Sequence, residues 1–582
     1  MLTRDQIFPE DRLPETAAIL ERGRDLAKVH TVQPGAFLKE RGVPSEAEFK
    51  RRAAAEGRIT QHAQIGYRDH GKSCRAWAEI YETCEKQGVT VDRYGICLDW
   101  AMGLPLKERK EATKGTGMLL EGPEDFVKLA AQAPVAPHFG DFIMGFPAAV
   151  ENVTSALAAG STSVGNLGQY FTFRVPGWDD DVTTTQETLT ALALVAAQPV
   201  EVLVHSNLDD GFAGLFTDIS SVLGLVLIEK HIIEGLLGGN LAHCWGHHFS
   251  DPKRRLAMHL ALSSVISSPG TMVYGNTVSY RGGPGANFAS LASYLLTDIA
   301  GQTVKPTGHA INPVPITENI RIPEIDEIIE AQMFAGRLKE HGRGWSTIVD
   351  PVDAQRIADE IVAGGRVFAD RSLKGLAQAG VDTNDPFEML LALRRIGPKR
   401  MEEMWGAGAP DTEAPRGRKP RVRAPFVEEL DELAHKHMSR VADTERAKIK
   451  KVRPRVIVAT SDVHEHGKIA LETVLRGLGA EIIDGGVSTD PDVLAARAVA
   501  DGAEAVLVST YNGIALDYYT QLKAKLPKGV PVLIGGRLNQ VPKGSNTSLP
   551  VDVSVELAEA GAVVCKEIED AVPALIAIAG GR

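Results

Sequence analysis

The chain is short of cysteine, of aromatic residues, of positive charge and of long apolar runs, and each shortage removes a class of function. Five cysteines occur in 582 residues (Cys74, Cys84, Cys97, Cys244 and Cys565), and no two of them form a C-x-x-C pair. An iron–sulfur cluster or a zinc ribbon is therefore not expected. The scatter of so few thiols fits a reducing compartment. The net charge of −12 argues against a nucleic-acid partner, because phosphate neutralisation needs a basic face. The one dense basic run, RGRKPRVR at 416–423, reads as a solvated linker. No uninterrupted apolar stretch reaches about 18 residues, so no membrane span is expected. The charged start, MLTRDQIFPEDRLPE, lacks the apolar core of a signal peptide. These shortages predict a cytoplasmic protein that meets neither nucleic acid nor membrane.

What is present is enough for more than one core. At 582 residues, with 44% hydrophobic and 24% charged content, two large domains and a linker are the default. Residues 1–87 are charged and alanine-rich and read as a helical region without a sheet. From 88 to 404 short β-rich runs alternate with helical patterns: VEVLVHSN (200–207), FTDISSVLGLVLIEKHIIEGLLG (216–238), NLAHCW (240–245), GTMVYGNTVSY (270–280) and ANFASLASYLLTDIAG (286–301). Repeated strand–helix units predict a parallel sheet with right-handed crossovers. About three hundred residues of them suit a TIM-like (β/α)8 barrel, with a large open sheet as the alternative.

Residues 405–452 read as a Gly/Pro-rich, charged linker (405–425) and one amphipathic helix (426–451). From 453 to 582 four apolar runs, PRVIVATS, AEIIDGG, AEAVLVST and VPVLIGG, each precede a helical stretch. That alternation predicts a small doubly wound, Rossmann-like (flavodoxin-like) domain.

The chemistry-bearing motif stands at the first strand–helix junction of this small domain. In SDVHEHGK, Asp462, His464 and Gly467 form D-x-H-x-x-G. In an extended segment an Asp and a His two residues apart share a face. The carboxylate can fix one ring nitrogen and leave the other for a metal. Gly467 permits close approach by a bulky ligand. The structural alternative is an Asp–His pair that only caps the next helix. Ser509 closes the strand AEAVLVS, and Gly535–Gly536 close VPVLIGG, at the same sheet edge.

Taken together, D-x-H-x-x-G, then Ser, then Gly-Gly resembles the cobalamin-binding domain of corrinoid mutases and methionine synthase. The resemblance covers about residues 453–575. It implies base-off cobalamin with His464 as axial cobalt ligand and Asp462 as its orienter, and Ser509, Gly535 and Gly536 around the nucleotide tail. Thr510 and Gly513 keep the adjoining loop small, while Tyr511 stands where the family often has Leu.

Residues 88–320 are similar to the large catalytic subunit of glutamate mutase, and 461–513 to that enzyme's separate small subunit. The resemblance implies an adenosylcobalamin-dependent radical mutase, an isomerase with both parts fused, that rearranges a small-molecule, carboxylate-bearing substrate. It makes Arg93 in TVDRYG the candidate grip for a substrate carboxylate, since a guanidinium fork pairs two oxygens. It aligns GNLGQYFTFRVPGWDDD (165–181) with a second substrate strand, offering Gln169, Tyr170 and Arg174, and it places Lys305 and Glu318 near the adenosine ribose. The family's glutamate and tyrosines for the substrate amino group have no counterpart in that stretch.

His205, His243 and His247 stand at strand ends and read as pocket lining for acid–base work or substrate hydrogen bonds. A second metal on His243 and His247, at i and i+4, is the alternative. The competing functions are a corrinoid methyltransferase and a non-enzymatic cobalamin sensor. A homodimer is expected, with the helices of 1–85 and 426–451 as surfaces.

Overall fold

The computed structural model describes residues 2–345 and 348–580. The architecture is mixed α/β, built on parallel strands. The chain divides into two units: Met1–Lys110, Met118–Thr172 and Asp180–Phe426 form the first, and Glu111–Gly117, Phe173–Asp179 and Val427–Arg582 the second.

The first unit carries strands β1 (His62–Ile65), β2 (Arg93–Ile96), β3 (Ala136–His138), β4 (Ser163–Val164), β5 (Leu203–Asn207), β6 (Asn240–Trp245), β7 (Met272–Val273) and β8 (Ala310–Ile311). They pair in parallel, in the orders β1-β2-β3 and β4-β5-β6-β7-β8. Isolated parallel bridges, Phe139 with Val164 and Gln61 with Ile311, join the outer edges of these two sheets. A parallel neighbour needs a crossover, and a helix follows every strand, from His70–Lys86 after β1 to Ile325–Trp345 after β8. The chain marks these helix starts itself. Asp69, Asp180, Asp218 and Asp251 each accept a first-turn backbone N–H and so satisfy donors that a helix start leaves open.

Two expectations change here. β1 lies inside the stretch read as helices alone. Its residues, His-Ala-Gln-Ile, are half polar, so hydropathy gave no strand signal although three of the four are buried. The basic run is also no solvated linker. Arg418 donates to the carbonyls of Glu403, Met404 and Gly408, at the end of helix Pro398–Trp405. The backbone amides of Arg421 and Val422 donate to Asp218. Guanidinium groups are well matched to helix-terminal carbonyls, and that pins the segment.

The second unit holds β9 (Arg455–Thr460), β10 (Glu481–Gly486), β11 (Ala505–Thr510), β12 (Val532–Gly536), a short antiparallel pair β13 (Asn539–Gln540) and β14 (Val551–Asp552), and β15 (Val563–Cys565). Its main sheet is wholly parallel, in the order β10-β9-β11-β12-β15. Apolar clusters cover both faces, one around Leu494, Tyr519 and Leu522, the other around Ile449, Val474 and Leu575. The fifth strand was not anticipated, because Val-Val-Cys is only three residues long. The expected single helix over 426–451 is two, Pro425–Arg440 and Asp443–Val452. Val441, buried at the break, joins the core, and Arg446 binds the carbonyls of Met438 and Val441. No helix among the described residues is long and apolar enough to cross a membrane.

Candidate functional site

In the second unit, β9 ends one residue before Ser461 and delivers Asp462 and His464 to the carboxyl edge of the parallel sheet. The imidazole Nδ1 and Asp462 Oδ1 are 2.7 Å apart, and the His464 amide donates to the same oxygen at 3.1 Å. Oδ2 accepts the backbone N–H groups of Tyr511 (2.7 Å) and Asn512 (3.1 Å), just past β11. Burial alone would raise this carboxyl. The hydrogen bonds from His464, Tyr511 and Asn512 outweigh it and hold Asp462 below the ordinary carboxylate range. An ionised Asp fixes the proton on Nδ1, and no hydrogen bond engages Nε2 among the described residues. The His464 side chain is 43% exposed, and the Tyr511 ring lies 4.3 Å from its ring.

The predicted glycines are close-approach positions. A Cβ on Gly467 would stand 2.5 Å from Ser509 Oγ, and one on Gly535 would stand 2.9 Å from the Cys565 carbonyl. Gly536 and Gly513 have φ of +98° and +72°, the left-handed region that glycine supplies without strain. Ser509 Oγ makes no hydrogen bond among the described residues, and the Thr510 hydroxyl is buried without a partner. One edge thus gathers all eight predicted residues: a metal-ready imidazole, an orienting carboxylate, two hydroxyls and four glycines.

The first unit treats its histidines differently. The rings of His138 (β3) and His205 (β5) meet at 4.4 Å, and His205 Nδ1 lies 3.0 Å from the Thr271 hydroxyl. Arg93 is 1% exposed. It reaches His62 Nδ1 at 3.3 Å and the Met272 sulfur at 3.7 Å, and pairs with Glu46 at 2.9 Å. His62, His138, His205 and Met272 come from alternate strands and form one layer inside the curled sheets. Burial, then the Arg93 charge, holds all three imidazoles well below their usual pKa, so they are neutral packing groups. His243 is fully buried against Glu229, with Nε2 3.1 Å from Oε2.

Three expectations are corrected here. Arg93 is the first residue of its strand, and the Glu46 carboxylate already occupies it. Lys50 pairs with the same Glu46 and donates to the Gly270 carbonyl. Arg93 is a structural cation, not a grip for substrate. His205 is likewise core rather than pocket lining. His243 and His247 share no metal, since His243 turns to Glu229 whereas His247 Nδ1 faces the Gly275 carbonyl and the Thr277 hydroxyl. The metal-competent group of three among the described residues is His437, Glu567 and Glu569, where Arg440 already bonds Glu569.

The chemistry-bearing groups of the first unit lie at the carboxyl ends of its strands. Asp141 follows β3, and Asp210 follows β5. Gln169 Nε2 donates to Asp141 (3.3 Å) and lies 3.5 Å from Asp210, while Asn207 (3.0 Å) and Asn166 (3.3 Å) donate to Asp210. Burial lifts Asp141 to about 6; burial and then the Asp141 and Asp209 charges push Asp210 well above the usual range. The adjacent Asp209 is ionised against His248 at 3.2 Å. His247 is held near 4 by burial and by His248, and its ring stands 5.5 Å from Tyr274.

Of the remaining predicted residues, Gln169 belongs to this acid pair and Glu318 follows β8 at the same strand ends. Lys305 is exposed and precedes β8, so it does not join Glu318. Tyr170 is fully buried against Thr185 at 2.7 Å and is core. The segment of Gln169 and Tyr170 is a helix, Leu167–Thr172, rather than a strand. Arg174 belongs to the second unit, where it pairs with Asp490 at 2.6 Å and donates to the Ser488 carbonyl. Asp141 and Asn166 escaped sequence reasoning. Their only signal was a polar residue placed just after a short strand, in HFGD and VGN.

No protein-family model and no curated protein matches the chain.

Proposed function

We propose that the chain is an adenosylcobalamin-dependent isomerase, a radical mutase acting on a small charged substrate, with base-off cobalamin on His464. The observation that carries this reading is the Asp462–His464 pair. It combines an ionised, buried carboxylate on Nδ1 with an exposed ring whose Nε2 is uncommitted. The strand order of the second unit, 2-1-3-4-5 in its own sequence order, supports a flavodoxin-like, Rossmann-like cobalamin-binding domain. In such sheets ligands bind at the carboxyl ends of the strands, where Asp462, His464 and Ser509 stand. For the first unit, strand order β1 to β8 with bridges at both open edges supports a (β/α)8 barrel.

The residues fit the group. His464 would hold the cobalt, and Asp462 would keep its ring in one tautomer. Gly467, Gly513, Gly535 and Gly536 let the backbone of this edge pack closely against Ser509, Val541, Cys565 and Thr510, and the hydroxyls of Ser509 and Thr510 would bind the nucleotide tail. When bound, adenosylcobalamin supplies a cobalt–carbon bond whose homolysis yields a carbon radical that can take a substrate hydrogen. The protein's own work is to bind, orient and exclude water. The acid pair Asp141–Asp210 at the strand ends of the first unit is where we place the substrate.

Anaerobic incubation with adenosylcobalamin and a panel of small acids and amino acids tests this. A cob(II)alamin–radical signal that appears only with substrate is expected. Demethylation of methylcobalamin with no radical signal would make the protein a methyltransferase. Tight corrinoid binding with neither activity would make it a sensor.

A further inference from the structure

At the carboxyl edge of the second unit's sheet, Tyr511 lies outside the core. It is 39% exposed and belongs to neither apolar cluster of this unit. Its ring stands 4.3 Å from the His464 imidazole, with 35° between the two planes. Ring pairs at about this separation attract one another. The Tyr511 ring is held in turn by Arg537, whose guanidinium is 5.0 Å from its centroid. Arg537 is anchored there by its own backbone amide, which donates to the Thr510 carbonyl at 2.8 Å. Gly536 makes that approach possible, since a Cβ on it would stand 2.4 Å from the same carbonyl. Guanidinium, phenol and imidazole form one chain of contacts that ends at the metal-ready ring.

The hydrogen bond to Asp462 leaves the plane of the imidazole loosely set. It decides which nitrogen carries the proton. A hydrogen bond keeps most of its strength over about 30° of misalignment, however, and the second side-chain torsion of histidine is broad. A metal ligand has to be held within about 10–20° of its productive direction. Asp462 Oδ1 takes Nδ1 at 2.7 Å and the His464 amide at 3.1 Å, and neither bond sets a wall against the flat of the ring. Tyr511 supplies that wall. It also reaches the orienting carboxylate, but through its backbone N–H, which donates to Oδ2 at 2.7 Å. Replacing the side chain therefore removes the ring and keeps the hydrogen bond, so the two contributions are separable.

We propose that Tyr511 is a positioning residue whose ring, steadied by Arg537, fixes the plane of the His464 imidazole and with it the direction of the Nε2 lone pair. Asp462 selects the nitrogen that binds, and Tyr511 selects where it points. The proposal deepens the cobalamin reading and rests on it for the identity of the metal alone.

The test compares Tyr511→Leu and Tyr511→Phe with the unaltered full chain, using isotope-labelled histidine and magnetic resonance. Loss of a signal in His464→Gln identifies His464. Without corrinoid, the His464 ring protons are expected to move downfield in Tyr511→Leu, where the neighbouring ring current is gone. In Tyr511→Phe they should stay near their original positions. The nitrogen shifts of an Nδ1–H tautomer should be the same in all three. With cob(II)alamin, Tyr511→Leu should weaken binding about three- to tenfold and broaden the axial-nitrogen splitting of the paramagnetic spectrum, and Tyr511→Phe should restore both. Should Tyr511→Leu fail to fold, Arg537→Gln is expected to broaden the same splitting with the ring still present. His464 signals that ignore Tyr511→Leu, unchanged affinity and splitting across the variants, or a Tyr511→Phe that restores neither overturns the proposal. His464 signals that shift as expected, with a cofactor that keeps its own base on cobalt, would sink the cobalamin reading and leave the contact of Tyr511 with His464 intact.

Discussion

His464 and the histidines of the first unit are the same residue in opposite settings. His464 is nearly half exposed, has one nitrogen fixed by an ionised carboxylate, and keeps the other free. His62, His138 and His205 are buried beside an arginine and held neutral, and the rings of His138 and His205 pack on each other. A metal ligand needs an accessible lone pair and an orienting anion. A core group needs only volume and satisfied polar atoms. Histidine at a strand end therefore says little until its partner is known.

That contrast can be broken in several ways, and the largest effect is expected beneath the histidine layer. Glu46→Ala would leave Arg93 and Lys50 buried without their anion, at a cost of about 3–5 kcal/mol. Denaturant unfolding measures it; a loss under 1 kcal/mol would mean that the cluster is hydrated. His205→Ala removes a buried ring and should destabilise by about 2–4 kcal/mol while leaving the corrinoid spectrum unchanged. A changed spectrum would restore His205 to the functional residues. Asp462→Asn should do the reverse, lowering corrinoid affinity by about 10–100-fold with little effect on folding. Equal affinity in an equilibrium titration would show that the carboxylate does not orient the ligand.

The smallest effect is in pH, and its sign separates two groups of the first unit. The buried histidines have folded pKa values below the usual 6.5, so their contribution is present above 6.5 and lost as pH falls. Asp141 is raised from 3.8 to about 6, so its contribution is present below 3.8 and lost as pH rises through 6. The two slopes oppose each other between about 4 and 6. Asp141→Asn should remove one and make stability climb more steeply with pH over that window. An unchanged slope would mean that Asp141 titrates normally.

How much was legible in the sequence follows the same divide. In the second unit the site is local: Asp462 and His464 are two residues apart, and Gly467 and Ser509 flank adjacent strands, so motif and geometry coincide. Strands β9, β11 and β12 there are mostly apolar and buried, and they stand out. In the first unit several strands are two to four residues long, and β1 carries two polar residues, so hydropathy hid β1. Its acid pair joins positions 69 residues apart, 141 and 210, that only the strand order brings together. Glu46 marks the same limit. Nothing near Arg93 in sequence announces a carboxylate 47 residues upstream.

The central claim concerns one nitrogen, and electron paramagnetic resonance of the cob(II)alamin-loaded protein reads that nitrogen directly. Uniform 15N labelling of the protein should convert the superhyperfine triplet of an axial 14N ligand into a doublet, and His464→Ala should abolish the protein-derived splitting. A triplet that ignores the protein label would mean that the cofactor's own base stays on cobalt, and the account would be wrong.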